Sequence, residues 1–455
     1  MPTKKVMILV EPLRKLLRRG ATGRALNMLK KIHHADIALL MQHLNRNEQV
    51  MTFRILAGSD MTLTADVLSE ITPEKGVELL AGMEKEIVVR IFSELYSDDA
   101  AVLMEKLPEE IQEELIGLME AEHSEDLQGL LQHPKETAGR IMSPDYFALP
   151  EESTVDEAIK ALHTTADVEM AFYLYVIDDR GHLIGVVSLR QLILQPPHRK
   201  LKDIMATEVI SIKTNVDQEE AARIVARYDI LALPVVDEEN KLVGIVTVDD
   251  VIDIMRREAT EDILKMAGTG EQEIRTISLF KTLKSRIPLL FATWTGGLIA
   301  YYLILLFKDT LSRVIVLAGF IPLLIGMGGA VGTQSSAVLV RLLSTSDFYL
   351  RRFLTMIWKE MGAAFLLGVI YSILLGGFIY LVNLYHPGTD GTFIFLVCLA
   401  LLLSMLSAAA IGVLLPLLFH KLHMDPAVAV TPFVTTLSNC VILVIYFFLA
   451  RVLLV

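Results

Sequence analysis

The tightest constraint on this chain is a change of solvent near Pro288, where a charged, acidic sequence gives way to apolar stretches that continue to Val455. In a bilayer every backbone N–H and C=O must bond within the protein, so a run of roughly 20 apolar residues crosses as a helix. Five such spans are predicted, at 287–307, 314–340, 361–382, 393–419 and 427–449. An odd number puts the two termini on opposite faces. Basic residues set which face is which. Lys281, Lys284 and Arg286 precede the first span, Arg341, Arg351, Arg352 and Lys359 separate the second from the third, and Lys421 precedes the fifth. The loop 383–392 has no Lys or Arg. The part before the spans is therefore expected in the cytoplasm, with the spans in the cytoplasmic membrane and in contact with its lipid. Lys308 and Arg313 run against the asymmetry.

Charge separates the two parts as cleanly as hydropathy. From Ile287 on, eight Lys and Arg stand against five Asp and Glu, which leaves 34 against 49 in the preceding residues. All of the acidic excess belongs to the soluble part, and a surface of that sign suits cations rather than nucleic acid. A merely solvated acidic face is the plainer alternative. The two cysteines, Cys398 and Cys440, both fall within apolar spans, so no disulfide framework is implied. Residues 1–19 do not read as a secretory signal, because the apolar run Val6 to Val10 leads into Glu11 and a basic stretch.

Two spans are more than anchors. The second holds Gly326-Met327-Gly328-Gly329-Ala330-Val331-Gly332-Thr333-Gln334-Ser335 after Pro322. Small residues let helix backbones approach closely, and polar ones are costly against lipid. Close packing without a path and a water-filled path are both open from this motif. The fifth span adds Thr431, Pro432, Thr435, Thr436, Ser438 and Asn439. From Thr435 to Asn439 the polar groups recur at helical spacing, which gives that span one polar face and favours a permeation path. Five helices rarely enclose a path alone, so a homodimer with the path near its two-fold axis is expected.

The soluble part contains an internal repeat. Tyr175-Val176-Ile177-Asp178-Asp179 through Gly185-Val186-Val187-Ser188 lies on Pro234-Val235-Val236-Asp237-Glu238 through Gly244-Ile245-Val246-Thr247. Each copy reads as strand, tight turn, strand and helix. Each follows an amphipathic helix, at 154–163 and 218–228, and opens on Ile-Met, at Ile141-Met142 and Ile204-Met205. This resembles a tandem CBS pair, with copies at 139–198 and 199–257. In CBS modules the pattern Gly, two apolar residues, Ser or Thr, and Asp three positions on serves an adenine nucleotide. The second copy has Gly244, Thr247 and Asp250; the first has Gly185 and Ser188 but Gln191 at the carboxylate position. ATP is accordingly a candidate ligand, with Tyr173 and Arg190 as further contacts for base and phosphate.

Residues 20–138 are rich in Leu, Met and Glu broken by short turns such as Leu107-Pro108-Glu109-Glu110, the pattern of short stacked helices. His33-His34 with Asp36 reads as a helix start before it reads as a metal site, and no Cys/His cluster points to zinc. After the repeat, Asp249, Asp250, Asp253, Glu258, Glu261 and Asp262 run along a predicted helix toward the first span. Carboxylates so close repel one another, and a divalent cation bridging their oxygens removes the repulsion. A solvated helix face is the alternative. No Walker loop or catalytic triad is present, so neither an enzyme nor an ATP-driven pump is expected.

Together these features resemble the MgtE family of Mg²⁺ channels over essentially the full length. The resemblance rests on Glu258-Ala259-Thr260-Glu261-Asp262, on Pro322 with the glycine-rich core, on Lys359-Glu360-Met361-Gly362, and on Asp425-Pro426 through Pro432 to Tyr446. It implies a multidomain homodimer in three parts: an α-helical N-terminal superhelix, an α/β CBS pair and an all-α five-helix transmembrane domain. A connecting "plug" segment, 258–286, links the CBS pair to the pore. It also implies that cytosolic Mg²⁺ holds the pore shut. The sensor positions would be Asp98, the Gly139 backbone, Asp217, Glu219, Asp229, Asp250, Glu258, Glu261 and Asp262.

The pore departs from the family pattern. Asn439 stands where members usually carry Asp, and Ala330 where they usually carry Asn. A carboxylate and a divalent ion about 5 Å apart attract by roughly 6 kcal/mol at an effective dielectric of 20, before desolvation. An amide oxygen can still accept from a metal-bound water, but it brings no charge. Gly326, Gly329, Thr431 and Thr435 remain expected pore-lining positions beside Asn439. Besides Mg²⁺ transport, altered selectivity (for Co²⁺, for example) and a nonconducting Mg²⁺ or nucleotide sensor stay open.

Overall fold

Short amphipathic helices separated by tight turns fill the chain from Pro2 to Gln132. The sequence specifies their starts locally, because the first N–H groups of a helix need acceptors from outside it. Asn45 and Glu48 form a reciprocal capping box, with Glu48 N–H donating to Asn45 Oδ1 at 2.9 Å. Asp60 caps the helix Met61–Ser69, and Pro73 opens the next. His33 caps the helix His34–Gln42 by accepting from Ala35 N–H, which is the helix start its position suggests. Apolar faces such as Leu13, Ile37, Phe53, Leu68 and Phe92 are fully buried between these helices. A computed structural model describes residues 2–164, 172–270, 279–345, 350–385 and 390–454. The chain divides into two units, Met1–Arg256 and Arg257–Val455.

The CBS pair, in the first unit, builds two three-stranded sheets of the same topology. In one, β1 (Ala148–Pro150) runs parallel to β2 (Tyr173–Ile177), which pairs antiparallel with β3 (Leu183–Ser188). In the other, β4 (Ile212–Lys213) runs parallel to β5 (Ala232–Val236), antiparallel to β6 (Leu242–Thr247). The repeated glycines are opposite equivalent residues, Val176 across from Gly185 and Val235 across from Gly244. The repeated Ile-Met openings explain them. Met205, from the opening of the second copy, fills the space a Cβ on Gly185 would need, and Met142, from the first, does the same at Gly244. Each copy thus locks its opening segment onto the other copy's sheet. Backbone pairs Val186–Ala206 and Ser143–Ile245 hold the exchange in place. The helical core continues into the second copy through Ala138, Met142, Val251 and Ile254.

Among the described residues the second unit contains five helices long and apolar enough to cross a membrane: Thr282–Leu306, Leu317–Leu343, Phe353–Tyr385, Gly391–Lys421 and Pro432–Leu454. The fourth is the most buried along its length, with Ala400, Leu401, Met405 and Ala409 packed against the second and fifth. Tyr446 of the fifth donates its hydroxyl to the Leu317 carbonyl at 2.9 Å, satisfying a buried polar group within the apolar core. Phe291, Trp294, Tyr301 and Tyr302 of the first span face outward, as a surface bathed in lipid requires.

Glycines divide the second span by face. On one face the backbone of Gly332 meets that of Gly412 in the fourth span so closely that a Cβ on Gly412 would stand 2.3 Å from the Gly332 carbonyl oxygen. On the other, a Cβ on Gly326 would meet nothing within 4 Å among the described residues outside its own helix backbone. Overpacking at a backbone contact costs about 1–3 kcal/mol, whereas an exposed helical Gly gains from a methyl group. Gly412→Ala should therefore lower the thermal unfolding temperature of the detergent-solubilised chain, while Gly326→Ala leaves it unchanged or higher. Equal effects at the two positions would contradict this assignment of faces.

Candidate functional site

A groove of about 570 Å³ runs along the open face of the second span. Gly326, Gly329, Ala330, Thr333, Gln334 and Ala337 line one wall at helical spacing, and Thr435 and Asn439 line the other. Pore-lining candidates 326, 329, 435 and 439 thus meet in one place. Thr431 falls in the turn Val430–Val434, and its side chain lies outside the described residues. That turn is π-helical and contains Pro432, whose missing N–H breaks the regular bonding ladder before the fifth helix resumes at Thr435. Thr333 spends its hydroxyl on the Gly329 carbonyl at 2.9 Å. Among the described residues the Asn439 Oδ1 atom has no hydrogen-bond partner, and a Cβ on Gly329 would stand 3.9 Å from it. A buried carbonyl oxygen without a donor is costly unless a cation or a water supplies one.

A second constellation lies in the first unit. Asp98 and Asp99 occupy the first turn of the helix Ser97–Met104, and Asp249 and Asp250 the first turn of the helix Val248–Met266. Their fields overlap. Burial, followed by Asp249, Glu70 and Asp253, pushes the Asp99 carboxyl up to about 6. Burial and Asp98 push Asp250 well above the usual range, against the Thr247 hydroxyl, which donates to Asp250 Oδ2 at 2.6 Å. Among the described residues, no three His, Cys, Asp or Glu side chains stand close enough to share one metal ion. The geometry is one of crowded carboxyl groups that do not converge on a common point.

The remaining acidic candidates are dispersed. Asp217 caps the helix Gln218–Tyr228 by accepting from Glu219 N–H, and Glu219 pairs with Arg223 at 3.0 Å. Asp229 ends that helix with φ at +52°. Gly139 donates its N–H to the Thr214 carbonyl at 2.8 Å, and a side chain there would strike His133 and Thr214. Glu258, Glu261 and Asp262 lie on the helix Val248–Met266, where Glu261 pairs with Lys265 at 2.6 Å. Of the expected connecting segment 258–286, residues 271–278 lie outside the described residues.

The nucleotide candidates sit at equivalent strand ends. Tyr173 pairs with Ser188, as Ala232 does with Thr247. Ser188 caps the helix Leu189–Ile193, which carries Arg190. Gln191 does not substitute for Asp250: its Nε2 donates to the Ile204 carbonyl at 2.7 Å, so the amide holds the second copy's opening.

The acidic segment after the repeat includes Asp249 and Asp253, but Asp99 and Glu70 are absent from the sequence-derived set. Asp99 is signalled only by its adjacency to Asp98, and Glu70 by nothing local. Residues 32–136 match the model of the MgtE intracellular N domain, 138–196 and 201–257 that of the CBS domain, and 321–449 that of MgtE, described as a divalent cation transporter. The magnesium transporter MgtE of Bacillus subtilis is 35% identical over 436 residues, covering 96% of this chain and 95% of its own. That of Thermus thermophilus is 35% identical over 451 residues, covering 97% and 98%. A crystal structure of the cytosolic domain of the Mg²⁺ channel MgtE in complex with ATP aligns with a TM-score of 0.51 at 36% identity, covering 54% of this chain and 99% of that one. A second, of the soluble part of a magnesium transporter, aligns at 0.51 and 30%, covering 56% and 99%.

A carboxyl whose folded pKa lies above its unfolded value favours the fold while protonated, so its contribution is complete below about pH 4 and is lost as pH rises through about 6. Asp99→Asn should consequently stabilise the full chain at pH 7.5 and not at pH 4, measured as the shift in unfolding temperature at each pH. A pH-independent shift would show that Asp99 is not under this repulsion.

Proposed function

Since the chain belongs to the MgtE family, we propose that it is a multi-pass, homodimeric Mg²⁺ channel of the cytoplasmic membrane, with its first unit in the cytoplasm and regulating the pore. The single observation that carries the permeation reading is the Asn439 carbonyl oxygen, buried at the groove without a donor and facing Gly329. Mg²⁺ gives up its inner waters reluctantly, so a site for it is best built from oxygens that accept from those waters. Asn439 supplies one, glycines at 326 and 329 leave room for the hydration shell, and a second subunit would double the set. The names of the relatives support transport over an enzymatic role.

Regulation follows from the crowded carboxylates. Asp99 and Asp250 are held where burial and neighbouring carboxylates oppose their ionisation, and a divalent cation at the Asp98, Asp99, Asp249 and Asp250 cluster would offset that cost. Glu258 and Asp262 follow on the same helix, and Asp217, Glu219, Asp229 and the Gly139 backbone are further candidate ligands. ATP at Tyr173, Ser188, Arg190, Thr247 and Asp250 is supported by the nucleotide in the aligned cytosolic domain. Here Asp250 already accepts from Thr247, so nucleotide would have to share that carboxylate.

A second reading, relaxed selectivity among divalent ions, is favoured by the neutral amide at 439. Both are tested by uptake into liposomes. The native chain should admit Mg²⁺, and Asn439→Asp should lower the Mg²⁺ concentration for half-maximal flux and sharpen its competition against Co²⁺. Unchanged competition curves would mean that position 439 does not face the ion, and absence of native uptake would refute transport. Mg²⁺ should also raise the unfolding temperature at pH 7.5 in the native chain, and less so in Asp99→Asn.

A further inference from the structure

The helix Val248–Met266 ends beside the entry to the fifth span, and one side chain ties the two together. Lys265 Nζ lies 2.6 Å from Asp425 Oδ2 and 2.6 Å from Glu261 Oε1, so a single ammonium is shared by two carboxylates. Burial alone would lower the Lys265 pKa, but the hydrogen bonds it donates to Asp425 and Glu261, with their negative charge, outweigh it and hold the group charged. Next to it, Met266 packs against Val340, Ala427 and Val430, which are almost fully buried. Asp425 has a second role. Its Oδ1 accepts from Ala427 N–H at 2.8 Å and caps the 3₁₀ turn Pro426–Ala429. That turn leads into the π-helical Val430–Val434 and then into Thr435 and Asn439 at the groove.

The order of these parts matters more than the strength of the pair, since a half-exposed ion pair is worth little by itself. Residues 426–434 lack the continuous i to i−4 ladder, so they can be displaced at less cost than a regular helix. The latch holds the near end of that irregular segment, and the groove oxygen is at the far end. We propose that Lys265 is a positioning residue for the pore, its ammonium joining the connecting helix to Asp425 so that movement of the acidic helix is passed to Thr435 and Asn439. This inference rests on the channel reading above. It assigns Glu261 a resident cation, so that an added divalent ion at Glu261 must compete with Lys265.

The test uses the full chain in lipid with Lys265→Gln, Lys265→Arg and Asp425→Asn. The Asn variant keeps an acceptor for the cap and removes only the charge. Backbone hydrogen exchange at 258–268 and 425–434 reports whether the latch exists, independently of flux. Mg²⁺ uptake into liposomes, with and without millimolar Mg²⁺ on the side of the first unit, reports whether it couples. The Gln and Asn variants should exchange roughly threefold or more faster in both segments, as fits loss of a partly exposed ion pair. They should also lose most of the Mg²⁺-dependent decrease in uptake, while Lys265→Arg retains both behaviours. Unchanged exchange in the Gln and Asn variants would overturn the latch. Faster exchange with undiminished regulation would overturn its role in positioning the pore while leaving the channel reading intact. Absence of uptake by the native chain would overturn that reading and the coupling with it.

Discussion

The backbone contact between Gly332 and Gly412 is the constraint on which the membrane unit turns. Two helices that touch at carbonyl distance have no rotational freedom about that point, because any side chain there would force them apart. Fixing this face of the second span also fixes its opposite face, where Gly326, Gly329 and Ala330 meet Thr435 and Asn439. The same short motif therefore packs against the fourth span on one face and opens a groove on the other.

A second organising force is repulsion that the fold tolerates without relieving. Asp99 and Asp250 are held among other carboxylates in a setting that raises both pKa values, so the first unit carries a cost at neutral pH. Proteins keep such costs where something is to be bound or switched. By contrast, Glu261 and Asp425 have their charge answered within the chain by Lys265. One acidic helix thus holds crowded carboxyls near its start and a carboxylate that shares an ammonium with Asp425 near its end.

Much of the fold was legible because its signals are local or periodic. Hydropathy marks five spans, the two glycine-centred copies mark the CBS pair, and residues such as Asn45, Asp60 and Pro73 mark helix starts. The groove was partly legible, since Gly326, Gly329, Thr435 and Asn439 are polar or small residues placed where lipid would exclude them. Glu70 and Asp99 were not, because an acidic residue on a soluble helix reads the same whether it faces water or another carboxylate. Nor could the commitment of Gln191 to the Ile204 carbonyl be read from a pattern that shows only a missing Asp.

Taken alone, the sequence determined which segments enter lipid, how many copies of the sheet module exist, and that position 439 offers an oxygen without a charge. These follow from composition, repetition and residue chemistry, which need no neighbours in space. Tertiary structure decided which glycines touch backbone and which leave room, which methionine fills which glycine's space, and which carboxylates repel and which are paired with Lys265. Each of those depends on distances between residues far apart in the chain, as with Met142 and Gly244, Asp99 and Asp249, or Lys265 and Asp425. Only the folded packing sets such distances.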